Sequence, residues 1–150
     1  MNKNTYLFLE EDFTNVDLSE TNLQRANFKK SSFLLVNLSR VNLQKAIFTG
    51  AKLYKTNLSG ADLQKANFKN AILKDVNLEG ANLQGANLEG CILNNAILKN
   101  ANLTGANLTD ATITLSETSG ANFTDTNTNK ALIVYKKGSF CYLKDYLKNA

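Results

Sequence analysis

Apolar residues recur along this chain with a period of five. From Val16 to Leu115 the sequence divides into 20 consecutive five-residue windows without an insertion, and the third residue of every window is Leu, Phe or Ile. The first residue is always Ala, Val, Thr, Ser or Cys, and the second is Asn or Asp in 13 windows. A period of five matches neither the 3.6-residue period of a helix nor the two-residue period of a strand.

The five-residue register continues on both sides of this block, so the predicted repeats extend over residues 11–135. One window precedes the block and four come after it, and the window 116–120 is degenerate. One large and one small apolar residue per window predict a chain that turns a corner every five residues and points both side chains inward. The coils of such a solenoid stack and bury a continuous column, with backbone groups paired between coils about 4.8 Å apart.

A second period of 20 residues is superimposed on the first. Residues of one type recur at this spacing in two columns, Gln24, Gln44, Gln64 and Gln84 in one and Phe28, Phe48 and Phe68 in another. Four windows therefore complete one coil, and the repeats form about six coils in a rod roughly 30 Å long.

The windows resemble those of a known family. ANLQG at 81–85 and ANLEG at 86–90 match the consensus A(D/N)LXX of the pentapeptide-repeat family. The resemblance covers about five-sixths of the chain. It implies an all-β fold, a right-handed quadrilateral parallel β-helix whose central Leu or Phe and small first residue face inward.

Both ends of a solenoid expose its core and need caps. We expect residues 1–10 to form the N-terminal cap, with the apolar run Tyr6–Leu9 covering the first coil. Residues 136–150 are expected to form the C-terminal cap, with a short helix that Ser139 caps at its start. Its apolar face either covers the last coil or, as the resemblance implies, forms a homodimer contact; the residues concerned are Phe140, Leu143, Tyr146 and Leu147.

In one of the four columns, six successive windows lack Asn and Asp at the second position. Its central residues are Phe33, Leu53, Leu73, Leu93, Ile113 and Ile133. If its second, fourth and fifth positions face solvent, this is the most apolar outer face and a candidate interaction site. The alternative is a different turn geometry that removes the need for Asn. The candidate residues are Lys52, Tyr54, Lys55, Ile72, Lys74, Ile92, Thr112 and Leu132.

The net charge of +4 is distributed in blocks along the chain. Residues 10–20 carry five acids, residues 25–74 carry ten bases and one acid, and residues 75–125 carry six acids and one base. The basic block either attracts an anionic partner or only keeps the surface solvated. Nucleic acid is the less favoured partner, because most Phe residues occupy inward positions and leave few aromatics for base stacking. Three bases share one column and form a candidate basic ridge, Arg25, Lys45 and Lys65.

The composition argues against an enzyme. The chain has no His, which removes the commonest general base and metal ligand. Its two cysteines, Cys91 and Cys141, lie in no CxxC pair, and we expect Cys91 to pack in the core. We expect no catalytic residue, no metal and no cofactor. No stretch approaches the length of a membrane span, so we expect a cytoplasmic protein that does not bind membranes.

We weigh three functions. The first is a non-enzymatic protein-interaction or regulatory module that uses one outer face, a role that the resemblance implies for some bacterial relatives, especially cyanobacterial ones. The second, also from the resemblance, is a DNA-mimicking inhibitor or protector of DNA gyrase of the quinolone-resistance type. The net positive charge argues against it, because a DNA mimic needs a negative surface. The third is a purely structural protein.

Overall fold

The computed structural model describes residues 6–136 and 139–148. The described part of the chain forms strands spaced by one coil, followed by one short helix. In chain order these elements are β1 Asp12–Thr14, β2 Ser32–Leu34, β3 Lys52–Tyr54, β4 Ile72–Lys74, β5 Ile92–Asn94, β6 Thr112–Thr114, β7 Leu132–Lys136, β8 Ser139–Tyr142 and α1 Leu143–Leu147.

The strands form one sheet in sequence order, and β1 to β7 are all parallel. Each residue pairs with the residue 20 positions further on, as Leu53 does with Leu73. Within each of the other three columns, bridges between successive coils keep the same spacing, as between Asn82 and Asn102. These findings confirm the predicted fold, a quadrilateral parallel β-helix of about six coils with four windows per coil and a short C-terminal helix.

Backbone hydrogen bonds join every coil to the next. The N–H of Leu43 donates to the carbonyl of Asp62 in the following coil (2.8 Å), and the N–H of Asn42 donates to the carbonyl of Thr21 in the preceding one (3.0 Å). This pattern repeats window after window. Proline lacks the N–H that such a ladder uses, which accounts for a chain without proline.

The inward positions form one continuous core. From Val36 to Ile113, every first and third residue of a window is at most 1% exposed. The phenylalanines of one column stack face to face, with centroids 5.0 Å apart for Phe28 and Phe48 and 4.7 Å apart for Phe48 and Phe68. The coil spacing suits such stacking, because offset rings pack at these distances.

The predicted N-terminal cap contains a repeat. Residues 6–10 keep the window register: Leu7 bridges to Asn27, and the N–H of Phe8 donates to the carbonyl of Asn27 (2.8 Å). The Phe8 ring stacks on Phe28 with centroids 5.0 Å apart. The repeats therefore begin five residues before the predicted boundary, and residues 1–5 lie outside the described residues.

The C-terminal segment begins as a strand, so the prediction that Ser139 caps the start of a helix is wrong. β8 pairs antiparallel with β7, and α1 begins only at Leu143. Phe140 consequently lies outside the helix. The physical reason is that β7 offers unpaired backbone groups at the end of the sheet. The alternation of Ser139, Phe140, Cys141 and Tyr142 suits a strand that satisfies them.

Helix α1 covers one side of the last coil. Leu143 is fully buried and donates its N–H to the carbonyl of Ala131 (2.8 Å). Tyr146 and Leu147 are partly buried against the core, and the Tyr146 ring stacks on Tyr135 with centroids 6.0 Å apart. These contacts are those of a lid on the end of the solenoid.

The lid leaves the other side of the last coil open. The inward residues Thr118, Phe123 and Thr128 are only partly buried. A cavity of about 730 Å³ opens between the last coil and the lid. Its lining residues are Ser116, Glu117, Thr118, Ser119, Gly120, Ala121, Phe123, Tyr135, Tyr146 and Leu147.

Candidate functional site

Two corner geometries divide the surface of the solenoid. In three columns, which we call the turn faces, the third carbonyl of a window accepts a hydrogen bond from the first N–H of the next window, as Leu83 does from Ala86 (2.9 Å). The fifth residue has a positive φ, for example 65° at Gly85. A positive φ at this position of a hydrogen-bonded turn is typical of type II turns.

The turn leaves the fourth N–H of the window without a backbone acceptor, and the side chain at the second position supplies one. The N–H of Thr104 donates to Oδ1 of Asn102 at 3.1 Å, for example. All second-position Asn and Asp residues of the turn faces accept such a bond: Asp17, Asn22, Asn27, Asn37, Asn42, Asn57, Asp62, Asn67, Asn77, Asn82, Asn87, Asn102, Asn107, Asn122 and Asn127. The turn thus favours Asn and accounts for the Asn-rich composition, although Ile47, Ile97 and Glu117 occupy the same position in other windows.

The fourth column, which we call the strand face, lacks this turn. Its second, third and fourth residues form strands β1 to β7, so the fourth residue lies within the parallel ladder. An Asn side chain has no free N–H to satisfy there. The different corner geometry therefore explains why Asn is missing, and the candidacy of this face depends on what its side chains expose.

The strand face does expose apolar side chains. Ile92 is 43% exposed, and Leu34, Leu35, Leu115 and Tyr135 are also exposed, by 42–52%. The eight predicted interaction residues all belong to this face. Lys52, Lys55 and Lys74 are exposed, as Ile92 is. The other four residues, Tyr54, Ile72, Thr112 and Leu132, are half-buried.

Strand β8 extends the strand face beyond the repeats. Phe140 pairs with Val134, and Tyr142 pairs with Leu132. Phe140 is 71% exposed and Tyr142 is 49% exposed, which places two more apolar side chains on this sheet. Tyr142 was not among the predicted contact residues, and Phe140 was predicted to lie on a helix. The alternation of small and aromatic residues at 139–142, Ser-Phe-Cys-Tyr, was the signal that could have found them.

The candidate basic ridge lies on a corner between two turn faces. Arg25, Lys45 and Lys65 occupy the fifth position of successive coils, with φ of 62°, 60° and 58°. Ion pairs at other places join neighbouring coils, with N–O distances of 3.2 Å for Lys30 and Glu10 and 2.9 Å for Lys69 and Glu89. Within the described residues, none of the three ridge side chains takes part in an ion pair.

The acids and cysteines of the described residues bear on metal binding and on thiol reactivity. They hold no cluster of three or more Cys, Asp or Glu that could bind a metal ion. Cys91 is buried at an inward position, and burial raises the pKa of its thiol to about 12. Cys141 is a free, partly exposed thiol on β8. No helix in the described ranges has the length and hydropathy needed to cross a membrane.

Family profiles match most of the chain. The profile described as "Pentapeptide repeat region" matches residues 8–83, and the profile described as "Pentapeptide repeats" matches residues 71–110 in eight copies. A search among functionally curated proteins finds no match.

Solved structures with the same repeats are similar to this chain. A pentapeptide repeat protein from the Arabidopsis thaliana thylakoid lumen is 34% identical, with 68% of each chain covered and a TM-score of 0.50. Rfr23 from the cyanobacterium Cyanothece 51142 is 30% identical over 87% of this chain and 88% of its own, with a TM-score of 0.43. QnrB1, a plasmid-mediated fluoroquinolone resistance protein, is 19% identical over 98% of this chain and 92% of its own, with a TM-score of 0.54.

Proposed function

Because this chain belongs to the pentapeptide-repeat family, we propose that it is a non-enzymatic interaction module whose strand face binds another protein. The observation that carries the proposal is the set of exposed apolar side chains on one continuous sheet. Contiguous apolar surface on a folded protein marks interaction sites more often than scattered apolar residues do. The sheet is held in register by a fully buried core, so the face meets a partner without first having to order itself.

The chemistry of the face indicates the kind of partner. Toward the C-terminus it presents Ile92, Leu115, Tyr135 and Phe140, which favour an apolar surface on the partner. Toward the middle it presents lysines from β3 and β4, which favour acidic residues beside that surface. We therefore propose a protein partner with an apolar patch flanked by carboxylates.

Two pairs of substitutions test the proposal. Ile72→Asn with Ile92→Asn makes the strand face polar. Ile47→Asn with Ile97→Asn is the matched control, because it removes two isoleucines from second positions of turn faces, where Asn is the usual residue. We expect the tagged wild-type protein and the control to capture the same partner from host extract. The strand-face variant should capture at least about 90% less of that partner, which corresponds to a loss of about 1.4 kcal/mol in binding free energy.

Melting temperatures complete the experiment, because both variants must remain folded for the comparison to count. Undiminished capture by a folded strand-face variant would refute the proposal, as would equal loss from both variants. A single-position series, Ile72→Asn and Ile92→Asn separately, keeps the test decisive if the double variant unfolds.

DNA mimicry is not part of the proposal. A likeness of 19% identity to QnrB1 concerns the fold alone. A mimic of the DNA backbone requires negative surface charge, whereas this chain carries a net charge of +4 and ten bases within residues 25–74. A gyrase supercoiling assay is accordingly expected to show neither inhibition nor protection from a quinolone.

A further inference from the structure

The basic ridge differs from the other corners in how its charges are arranged. On the neighbouring corners, a base at the fifth position lies one coil above an acid at the same position. Lys30 thus pairs with Glu10, and Arg40 pairs with Glu20 at 3.4 Å. On the ridge, the residues of three successive coils are all basic. None of them pairs with an acid in the described part of the chain.

This arrangement is unfavourable for the isolated protein in two ways. Like charges one coil apart, about 4.8 Å along the axis, repel each other. Each ridge residue also holds a left-handed backbone conformation that glycine adopts at lower cost. The same column uses glycine for this conformation in the next two coils, at Gly85 and Gly105, with φ of 65° and 66°.

The last base of the ridge reaches toward the glycine of the next coil. A Cβ on Gly85 would lie 3.6 Å from Cγ of Lys65, so the Lys65 side chain extends over the next coil along the rod axis. The ridge therefore presents its cations on an open corner. In the same column the next two coils carry Gly85 and Gly105, and the first acid is Asp125.

We propose that the basic ridge binds a short acidic segment of a partner polypeptide. The proposal rests on charge complementarity, because three unpaired cations in successive coils gain most from a ligand that brings several carboxylates at once. This surface is separate from the strand face and would function whether or not that face binds a protein.

The surroundings of the ridge favour a peptide over a nucleic acid. The glycines of the next two coils limit the ridge to three cations, whereas DNA-binding proteins contact about 6–10 phosphates. The exposed aromatic side chains of the described residues lie in the window 6–10 or on the strand-face sheet, so the ridge has no platform for base stacking. One acid does lie beside the ridge. It is Asp62, the one acid within residues 25–74, and its carboxylate accepts a hydrogen bond from Nε2 of Gln44 at 2.6 Å.

The test uses a fluorescein-labelled decapeptide of alternating Glu and Ser, with the Gln-Ser decapeptide as the neutral probe. The ridge variant is Arg25→Gln, Lys45→Gln and Lys65→Gln. The matched variant is Lys99→Gln, Lys130→Gln and Lys144→Gln, which removes the same charge from exposed bases outside the ridge and outside the eight predicted residues of the strand face. Fluorescence anisotropy measures binding to the full chain in about 50 mM salt, where surface electrostatics are weakly screened.

We expect the wild-type protein and the matched variant to bind the acidic decapeptide with dissociation constants within about threefold of each other. The ridge variant should bind at least about tenfold more weakly, since three surface ion pairs each contribute a modest amount. Affinity should fall as salt rises, and the Gln-Ser decapeptide should not bind.

Three results would overturn the proposal. One is no binding of the acidic peptide by the wild-type protein. Another is equal weakening in both variants, which would make the effect one of net charge alone. The third is tighter, ridge-dependent binding of a 20-base-pair DNA duplex in the same buffer, which would assign the ridge to nucleic acid. Circular dichroism and melting curves of both variants establish that each is folded.

Discussion

The strand face and the turn faces share one core but differ in what holds their outer positions. On a turn face the second residue is tied to the corner, because its side chain satisfies an N–H that the turn leaves open; Asn82 and Gln84 are an example, at 3.3 Å. On the strand face the backbone satisfies itself within the ladder, and the second residue is unconstrained. The turn thus favours Asn or Asp at the second position on three faces, whereas the fourth face has no such preference.

The largest effect is expected where the two kinds of face do not differ. Leu73 on the strand face and Leu83 on a turn face are both at most 1% exposed. Replacing either with Ala should lower the free energy of unfolding by about 2–5 kcal/mol, because the rigid stack cannot close the cavity. Urea denaturation of the two variants measures this. If the losses of unfolding free energy for the two variants differed by more than this range of values for Leu-to-Ala changes, the faces would not share one core.

The lid on the last coil is expected to contribute less. Leu143→Ala should cost about 1–3 kcal/mol, since the residue is buried but belongs to a terminal element that can open locally. Phe140→Ala is the control, and a change within about 0.5 kcal/mol is expected because Phe140 is exposed. Thermal melting with chromatography in the same samples makes the measurement.

Removing residues 139–150 tests whether this segment acts as a lid or as a homodimer contact. We expect the truncated chain to melt at lower temperature or to aggregate, because the last coil loses its cover. A wild-type dimer that became a monomer of unchanged melting temperature would instead assign this segment to dimerisation.

A smaller effect distinguishes the faces directly. Asn82→Ala removes the acceptor of the Gln84 N–H and should cost about 1 kcal/mol. Ile92→Ala on the strand face has no such bond to lose, and a change within about 0.5 kcal/mol is expected. Equal costs in urea titrations would contradict the distinction between tied and free second positions.

The smallest expected effect concerns the two cysteine thiols, which belong to a strand-face window and to β8. Burial raises the pKa of the inward Cys91 to about 12, so at pH 8 this thiol is protonated as well as shielded. We expect a disulfide reagent to modify one thiol of the native protein, that of Cys141, and both thiols in denaturant. Cys141→Ser should abolish the native reaction. Rapid labelling of that variant would show that the coils open around Cys91.

The interior could be predicted from the sequence more completely than the surface. The residues at Phe28, Leu53 and Ile113 point inward because every window places its large apolar side chain at the same step of a repeating corner. The basic ridge column was likewise predictable from the 20-residue period. The ion pairs of Lys30 and Arg40, which set the ridge apart, depend on side-chain contacts between coils. Their register places the partners together, but only the structure shows that they meet.

The ends of the rod mark the limit of the sequence pattern. A repeat specifies how one coil packs on the next, so it determined the fold, the number of coils and the inward column. It does not specify the segments beyond the first and last coils. The structure there depends on the unpaired backbone groups at the two ends of the solenoid. The tertiary structure alone decided that residues 6–10 join the stack and that residues 139–142 add an antiparallel strand. It also decided that Leu143 closes the core, because each segment satisfies backbone and apolar groups that the neighbouring coil leaves open.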